Sequence, residues 1–296
     1  MENLHVCPVA MVTGATQYTG FATAKLFAQR GYDVCVTSRD YAKAENAAQR
    51  LSEMVPEAKF LPVQMDPPNV EETAAAFERV KKTFGRLDVF VANACAACRF
   101  KSILNTSEEA FDSIVNANLK GYFFGTQAAA KLMIETGSRG SIVLIGSVHS
   151  RGAHPNRIPY AISKGGIEVM ARNCAYELGK YGIRVNCLVA GAIVNEKFLE
   201  QSEEEKEKRR ANWPLGKESY PEDGAGCTAP NQTEKLSLAL QGYNYGNGYI
   251  SWAIQKYGGY TEANAQEFSK IMQRKLGWSR YGNPKYVSGP TGVCRT

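Results

Sequence analysis

Short runs of continuous apolar residues, each followed by a longer amphipathic stretch, recur along the first two-thirds of this 296-residue chain. Val9–Val12 and residues 32–37, 59–63, 87–92, 140–146 and 183–189 are runs of this kind, and they read as short buried strands. Residues 21–30, Val70–Phe84, 111–134 and 159–181 carry their apolar positions at helical spacing. Gly31 stops the first of these helices, and Pro67-Pro68 precede the second. Repeated strand–helix units predict an α/β chain, a doubly wound parallel sheet with helices on both faces. Ligands of such sheets sit beyond the carboxyl ends of the strands. Gly14, Asn93, Ser147 and Gly191 all fall at such ends.

One of those ends carries recognisable chemistry. Ser147 leaves the apolar run IVLI, and thirteen residues later comes Tyr160-x-x-x-Lys164. On a helix, positions i and i+4 share a face, so Lys164 is expected to hold a charge beneath the phenol. A free tyrosine ionises near pH ~10. A nearby ammonium lowers that value towards the range useful for general acid–base work. Ser147 would hydrogen-bond the same substrate oxygen that Tyr160 protonates. A tyrosine and a lysine on an ordinary surface helix remain the alternative, since this short spacing occurs by chance.

The first strand–helix junction supports the sharper reading. In VTGATQYTG, Gly14 and Gly20 bracket a tight loop that opens a helix. Such a loop brings backbone N–H groups and the positive helix end to a pyrophosphate. At the end of the second strand stands Thr37-Ser38-Arg39, with the acid delayed to Asp40. An acid at the strand end would accept from a ribose 2′-hydroxyl, whereas Arg39 and Ser38 suit a 2′-phosphate. NADP(H) is therefore expected over NAD(H). Two alternatives stay open: Asp40 swinging inwards, and Arg39 standing solvated at the start of the next helix.

Taken together these motifs resemble the short-chain dehydrogenase/reductase family, from about residue 9 to residue 223. The resemblance implies a Rossmann-like sheet and hydride transfer between NAD(P) and an alcohol or ketone. Thr13-Gly14-x-x-x-Tyr18-x-Gly20 is similar to the family's T-G-x-x-x-G-x-G, with Tyr18 in place of the middle glycine and Thr16 in the same loop. Asp66 matches the acid that contacts the adenine ring, and Asn93-Ala94-Cys95 matches N-A-G with Cys95 for glycine. Asn118 matches the asparagine that completes a tetrad with Ser147, Tyr160 and Lys164 and holds a proton-relay water. The resemblance also gives Lys164 a ribose to hold. Val185-Asn186, followed by Ala190-Gly191, resembles V-N-x-x-x-P-G, and Ile193 matches the position whose backbone meets the nicotinamide carboxamide. Asn195 stands where the family often has threonine. A side chain at 18 or 95 is expected to sit at negative φ and to alter cofactor fit without loss of fold.

Composition narrows the setting. The chain can bury a large core, and no apolar stretch approaches the ~20 residues of a membrane span. The opening MENLHVCPVAMV has no basic n-region or long apolar run, so a cytoplasmic protein is expected. Eight scattered cysteines read as reduced thiols. Cys95-Ala-Ala-Cys98 has no second pair for zinc, so no metal is expected, and either a thiol redox role or a plain loop suits it. A net charge of +6 without a long basic tract argues against a nucleic-acid partner. Residues 200–210 (EQSEEEKEKRR) read as a solvated helix face.

After residue 223 the chain changes character. Residues 224–235 form a junction, and an aromatic, Asn/Gly-rich stretch from 236 to 296 follows. QGYNYGNGYISWA and the later GW-x-x-YG resemble the C-terminal part of lysozyme-like, peptidoglycan-cleaving domains of Gram-positive mobile elements, over about residues 236–287. A short, mainly helical appendage is expected there, with Tyr243, Tyr245, Tyr249 and Trp252 either stacking on sugars or packing. The reading is of a dehydrogenase without its last helix and strand, joined to part of a hydrolase. Its sixth strand would then be an exposed apolar edge. Because the family uses that last strand and helix in assembly, homo-oligomers are in doubt for this chain.

Two functions follow as expectations. One is an NADP(H)-dependent oxidoreductase acting on a small-molecule secondary alcohol or ketone. The other is a non-catalytic fusion that binds cell-wall glycan. His149, Arg151, His154 and Arg157 follow Ser147, and Arg99 follows Asn93. In the family these loops and residues 195–211 surround the substrate mouth. Basic groups there would favour an anionic substrate, unless they point to solvent or pair with neighbouring acids. A neutral, bulky ketone such as a steroid stays open.

Overall fold

The computed structural model describes residues 7–96, 101–191, 193–194, 196–211, 219–223 and 262–276. It divides into two compact units, Met1–Val189 and Ala190–Thr296.

The first unit is built on six parallel strands: β1 (Val9–Val12), β2 (Asp33–Ser38), β3 (Phe60–Gln64), β4 (Val89–Ala92), β5 (Ser141–Ser147) and β6 (Arg184–Ala190). Their order across the sheet is β3-β2-β1-β4-β5-β6. In β1, VAMV is buried at all four positions, as is VFVA in β4. Central strands covered on both faces need such unbroken apolar runs. Alternate residues supply the two layers. Val9 and Met11 join Phe77, Phe90 and Met133 on one face, while Ala10 and Val12 join Phe27, Val34 and Leu51 on the other.

The connecting helices are α1 (Tyr18–Ala28), α2 (Tyr41–Met54), α3 (Val70–Phe84), α4 (Glu108–Val115), α5 (Gly121–Glu135) and α6 (Ile158–Leu178). Local sequence sets their limits. Asn69 caps α3 by accepting from Glu71 N and Glu72 N, and Gly85 closes it at φ 72°, the left-handed position that glycine fills without steric cost. Asp40 caps α2 by accepting from Ala42 N at 3.0 Å.

Two expectations change here. The single helix foreseen over 111–134 is interrupted by a π-helical turn, Asn116–Lys120, between α4 and α5. Gly121 N reaches back to Asn116 O, five residues away; such bulges are frequent at functional sites. Tyr18 adopts φ 49°, not a negative value. The loop keeps the left-handed backbone that a glycine would take, with a tyrosine in it.

The sixth strand does lie at a sheet edge, with Val185 and Val189 buried and the residues between them half-buried. In the second unit, Ile193 bridges Ser219, and Val194 N donates to Ser219 O at 2.7 Å. Its described helices are α7 (Glu196–Leu199), α8 (Glu203–Ala211) and α9 (Glu262–Leu276). In α8, Lys206 pairs with Glu203 and Lys208 with Glu204, as expected of a charged face. Cys98, Arg99, Asn195, Tyr243, Tyr245, Tyr249 and Trp252 lie outside the described residues. No described helix is long and apolar enough to cross a membrane.

Candidate active site

The strand order reverses direction at β1 and β4, and the loops after those strands are tied together. Thr13 Oγ1 accepts from Asn93 N and Ala94 N, each at 2.9 Å. Asn93 Nδ2 donates to Thr13 O at 2.9 Å and to Gly14 O at 3.2 Å. This lock brings two backbones close enough to demand glycine. Gly14 has φ 62°, and a Cβ there would lie 3.0 Å from Ala94 Cα. A Cβ on Gly20 would strike Gly14 O and stand 2.6 Å from Asn93 Nδ2.

Thr16 lies in the turn, and α1 begins at once after Gln17. No side chain caps that helix, and its first turn holds no acid. Its leading N–H groups therefore suit an anion. The left-handed Gly14 and the uncapped helix end fit a dinucleotide pyrophosphate.

Ser38, Arg39, Asp40 and Asp66 stand at the ends of the outer strands β2 and β3. Ser38 Oγ accepts from Asp40 N at 3.2 Å, so Ser38 and Asp40 stabilise the turn with Arg39 exposed between them. Asp40 is engaged as a helix cap, which argues against the inward swing. Asp66 follows β3; its backbone N donates to Glu72 Oε2 at 2.9 Å. Ile193 belongs to the second unit and is described only there.

Tyr160 lies beside Ser147 and Lys164 in the first unit, and Asn118 reaches their helix through Ser163. Ser147 is buried at the end of β5. Burial raises the Tyr160 phenol above its ordinary value, helped by Cys95, while Ser147 and Arg157 pull it the other way. Lys164 does not act as expected. Its Nζ donates to Ile145 O at 2.7 Å and stands 5.1 Å from the Tyr122 ring centroid and 5.6 Å from that of Tyr160. Buried to 1% exposure, it is itself lowered by desolvation, against an opposing pull from Cys95 and Cys187. Asn118 is fully buried in the π turn. It accepts from Ala96 N at 2.8 Å and donates to Ser163 Oγ at 3.3 Å, so it fastens the Asn93–Ala96 loop to α6.

Three neighbours of this cluster carry roles that sequence reasoning did not assign. Cys95, in the family's glycine position, lies near Tyr160 and Lys164. It raises the pKa of each, alongside the larger effect of burial at Tyr160 and against it at Lys164, while its thiol donates to Ala96 O at 3.4 Å. The buried Tyr122 hydroxyl has no hydrogen-bond partner among the described residues and lies near Cys95 and Tyr160. His149, noted only as a loop cation, sits with Nδ1 3.0 Å from Ser147 Oγ. Its ring is 4.0 Å from that of His154 and 5.6 Å from that of Tyr160. Burial, then His154 and Arg157, hold His149 down to about 4. It is a neutral group at physiological pH. The substitution for glycine at 95 was visible in sequence; the His149 contact had no sequence signal.

Arg151 pairs with a neighbouring acid, one of the two readings left open for it. Its Nη2 and Nε meet Glu168 Oε2 at 2.5 and 3.0 Å. Ser150 Oγ bonds the same carboxylate. That ion pair pins the loop to α6.

Comparison with known proteins agrees with this geometry. The family described as enoyl-(acyl carrier protein) reductase matches residues 14–229. A mouse (3R)-3-hydroxyacyl-CoA dehydrogenase is 32% identical over 226 residues, 75% of this chain and 87% of that protein. The 3-oxoacyl-[acyl-carrier-protein] reductase of Thermotoga maritima is 34% identical over 222 residues, 73% and 87% of the two chains. A 3alpha-hydroxysteroid dehydrogenase of Mediterraneibacter gnavus is 33% identical over 218 residues, 73% and 85%. The chain belongs to the short-chain dehydrogenase/reductase family, a class of NAD(P)-dependent oxidoreductases of alcohols and ketones. Residues 227–294 match a second family, described as lysozyme-like.

Proposed function

We propose that this protein is an NADP(H)-dependent oxidoreductase that interconverts a secondary alcohol and a ketone. The observation that carries this reading is the meeting of Tyr160 with buried Ser147 beside Lys164, next to the Gly14–Gly20 loop. Gly14, Thr16, Tyr18, Gly20, Asn93 and Asp66 would hold the dinucleotide, with Ser38 and Arg39 at its 2′-phosphate and Lys164 at a ribose. When bound, the nicotinamide supplies or accepts the hydride.

The chain's own groups handle the proton. Ser147 orients the carbonyl oxygen and Tyr160 protonates it. Asn118, through Ala96 N and Ser163, holds the loop that faces the pair. Because burial keeps Tyr160 protonated at neutral pH, the phenol is ready as an acid, which favours ketone reduction. Alcohol oxidation needs the phenolate and is favoured by alkali. The relatives' names put 3-oxoacyl thioesters first among ketones to try, with steroid ketones next. The lysozyme-like stretch, taken from about residue 236 and joined through 224–235, has no part in this chemistry.

The test is absorbance of NADPH and of NADH with the purified full chain and a panel of 3-oxoacyl thioesters, steroid ketones and simple ketones. Ketone-dependent NADPH oxidation is expected. Binding to peptidoglycan without turnover of any ketone would overturn the reading.

A further inference from the structure

Ser147 has one proton, and three groups surround its oxygen. His149 N donates to Ser147 Oγ at 3.3 Å, His149 Nδ1 lies 3.0 Å away, and the Tyr160 phenol lies close enough to the same hydroxyl to feel it. A bare Nδ1 would draw the serine proton to itself, and Ser147 could then only accept. A protonated Nδ1 would fill the second lone pair of Oγ and leave its proton for the phenol or for a substrate oxygen.

We propose that His149 is a positioning residue: its Nδ1–H donates to Ser147 Oγ and so turns the serine proton towards Tyr160 and the carbonyl oxygen. The ring is held for that task from two sides, by His154 at 4.0 Å and by the edge of Tyr160 at 5.6 Å. The loop that carries it is pinned at its next two residues, Ser150 and Arg151, both bonded to Glu168 on α6. Arg157, one residue before α6, opposes a second proton on the ring. The neutral imidazole thus has one proton, and Ser147 Oγ offers it an acceptor.

This inference rests on the proposed ketone chemistry, so the test needs one readout that does not. Nitrogen NMR of the full chain reads the His149 tautomer directly, with His149→Phe to assign the signal. Protonated Nδ1 is expected in the wild type, and its bias should vanish in Ser147→Ala. Kinetics supply the second readout. His149→Phe keeps a flat ring without a donor and should lose about five-fold in kcat, the weight of one ordinary hydrogen bond. KM for NADPH should hold. His149→Asn restores an N–H near the same place and should recover most of that loss. A bare Nδ1, or wild-type kcat in His149→Phe, or equal damage from Phe and Asn, would overturn the role. If the wild type reduces no ketone, the proposed function fails by itself, and the tautomer still decides whether His149 donates to Ser147.

Discussion

Lys164 Nζ stands 5.6 Å from the centroid of the Tyr160 ring and gives its hydrogen bond to Ile145 O at 2.7 Å. The ammonium is beside the phenol without bonding its oxygen. Burial, then Cys95, oppose the ionised phenol, while Ser147 and Arg157 favour it.

The phenol's role can be separated from nucleotide binding. Tyr160→Phe should abolish turnover and leave NADPH affinity nearly unchanged, because the Gly14–Gly20 loop and Arg39 are untouched. Initial rates and a binding titration on the same preparation check this. A variant that kept most of the wild-type rate would show that another group is the acid.

Burial first, and then Cys95, raises Tyr160. Cys95→Gly removes the second of these, so the phenol should ionise at lower pH. Alcohol oxidation, which needs the phenolate, should then begin its rise at lower pH than in the wild type. A pH–rate profile measures the shift, and an unmoved or alkaline-shifted limb contradicts the contact.

Arg39 is exposed after β2. Arg39→Asp should weaken NADPH far more than NADH. A charge-assisted bond is worth about 1.5–3 kcal/mol, roughly ten-fold or more in affinity. Equal loss for both nucleotides would refute the preference for a 2′-phosphate.

Tyr18 holds φ 49° at the start of α1. A left-handed non-glycine residue costs about 1–2 kcal/mol. Tyr18→Ala and Tyr18→Gly lose the same ring, but only glycine releases the backbone. The glycine variant should be the more stable by about 1 kcal/mol in denaturant titrations, and it should bind NADPH more tightly. Equal midpoints for the two would mean that the backbone at 18 carries no strain.

His149 titrates near 4 in the folded chain, below its ordinary 6.5. Between those values the unfolded chain binds a proton that the folded chain does not, so stability falls as pH falls. Above about pH 6.5 the group has no effect. His149→Asn should lose less melting temperature than the wild type when pH drops from 7 to 5. Parallel losses would place the sensitivity elsewhere.

The strands, the glycine loop and the Ser147, Tyr160, Lys164 spacing were legible because they rest on local periodicity and on offsets within a few turns of chain. VAMV and VFVA can only be buried central strands, and Gly14 and Gly20 mark a backbone approach that a Cβ forbids. Contacts between distant segments were decided by packing. The sequence shows a tyrosine at 18 but not that its φ is positive. It shows Asn118 in a helix but not the π turn that aims it at Ala96 N. Arg151 is equally a substrate ligand or a partner of Glu168 until the loop after β5 is laid on α6. His149 reaches Ser147 only because that loop turns back in a single 3-10 turn, Val148–Ser150. Lys164 misses the Tyr160 oxygen because the buried ammonium takes the nearest carbonyl, Ile145 O, and a buried charge without such a partner costs far more than the contact it forgoes.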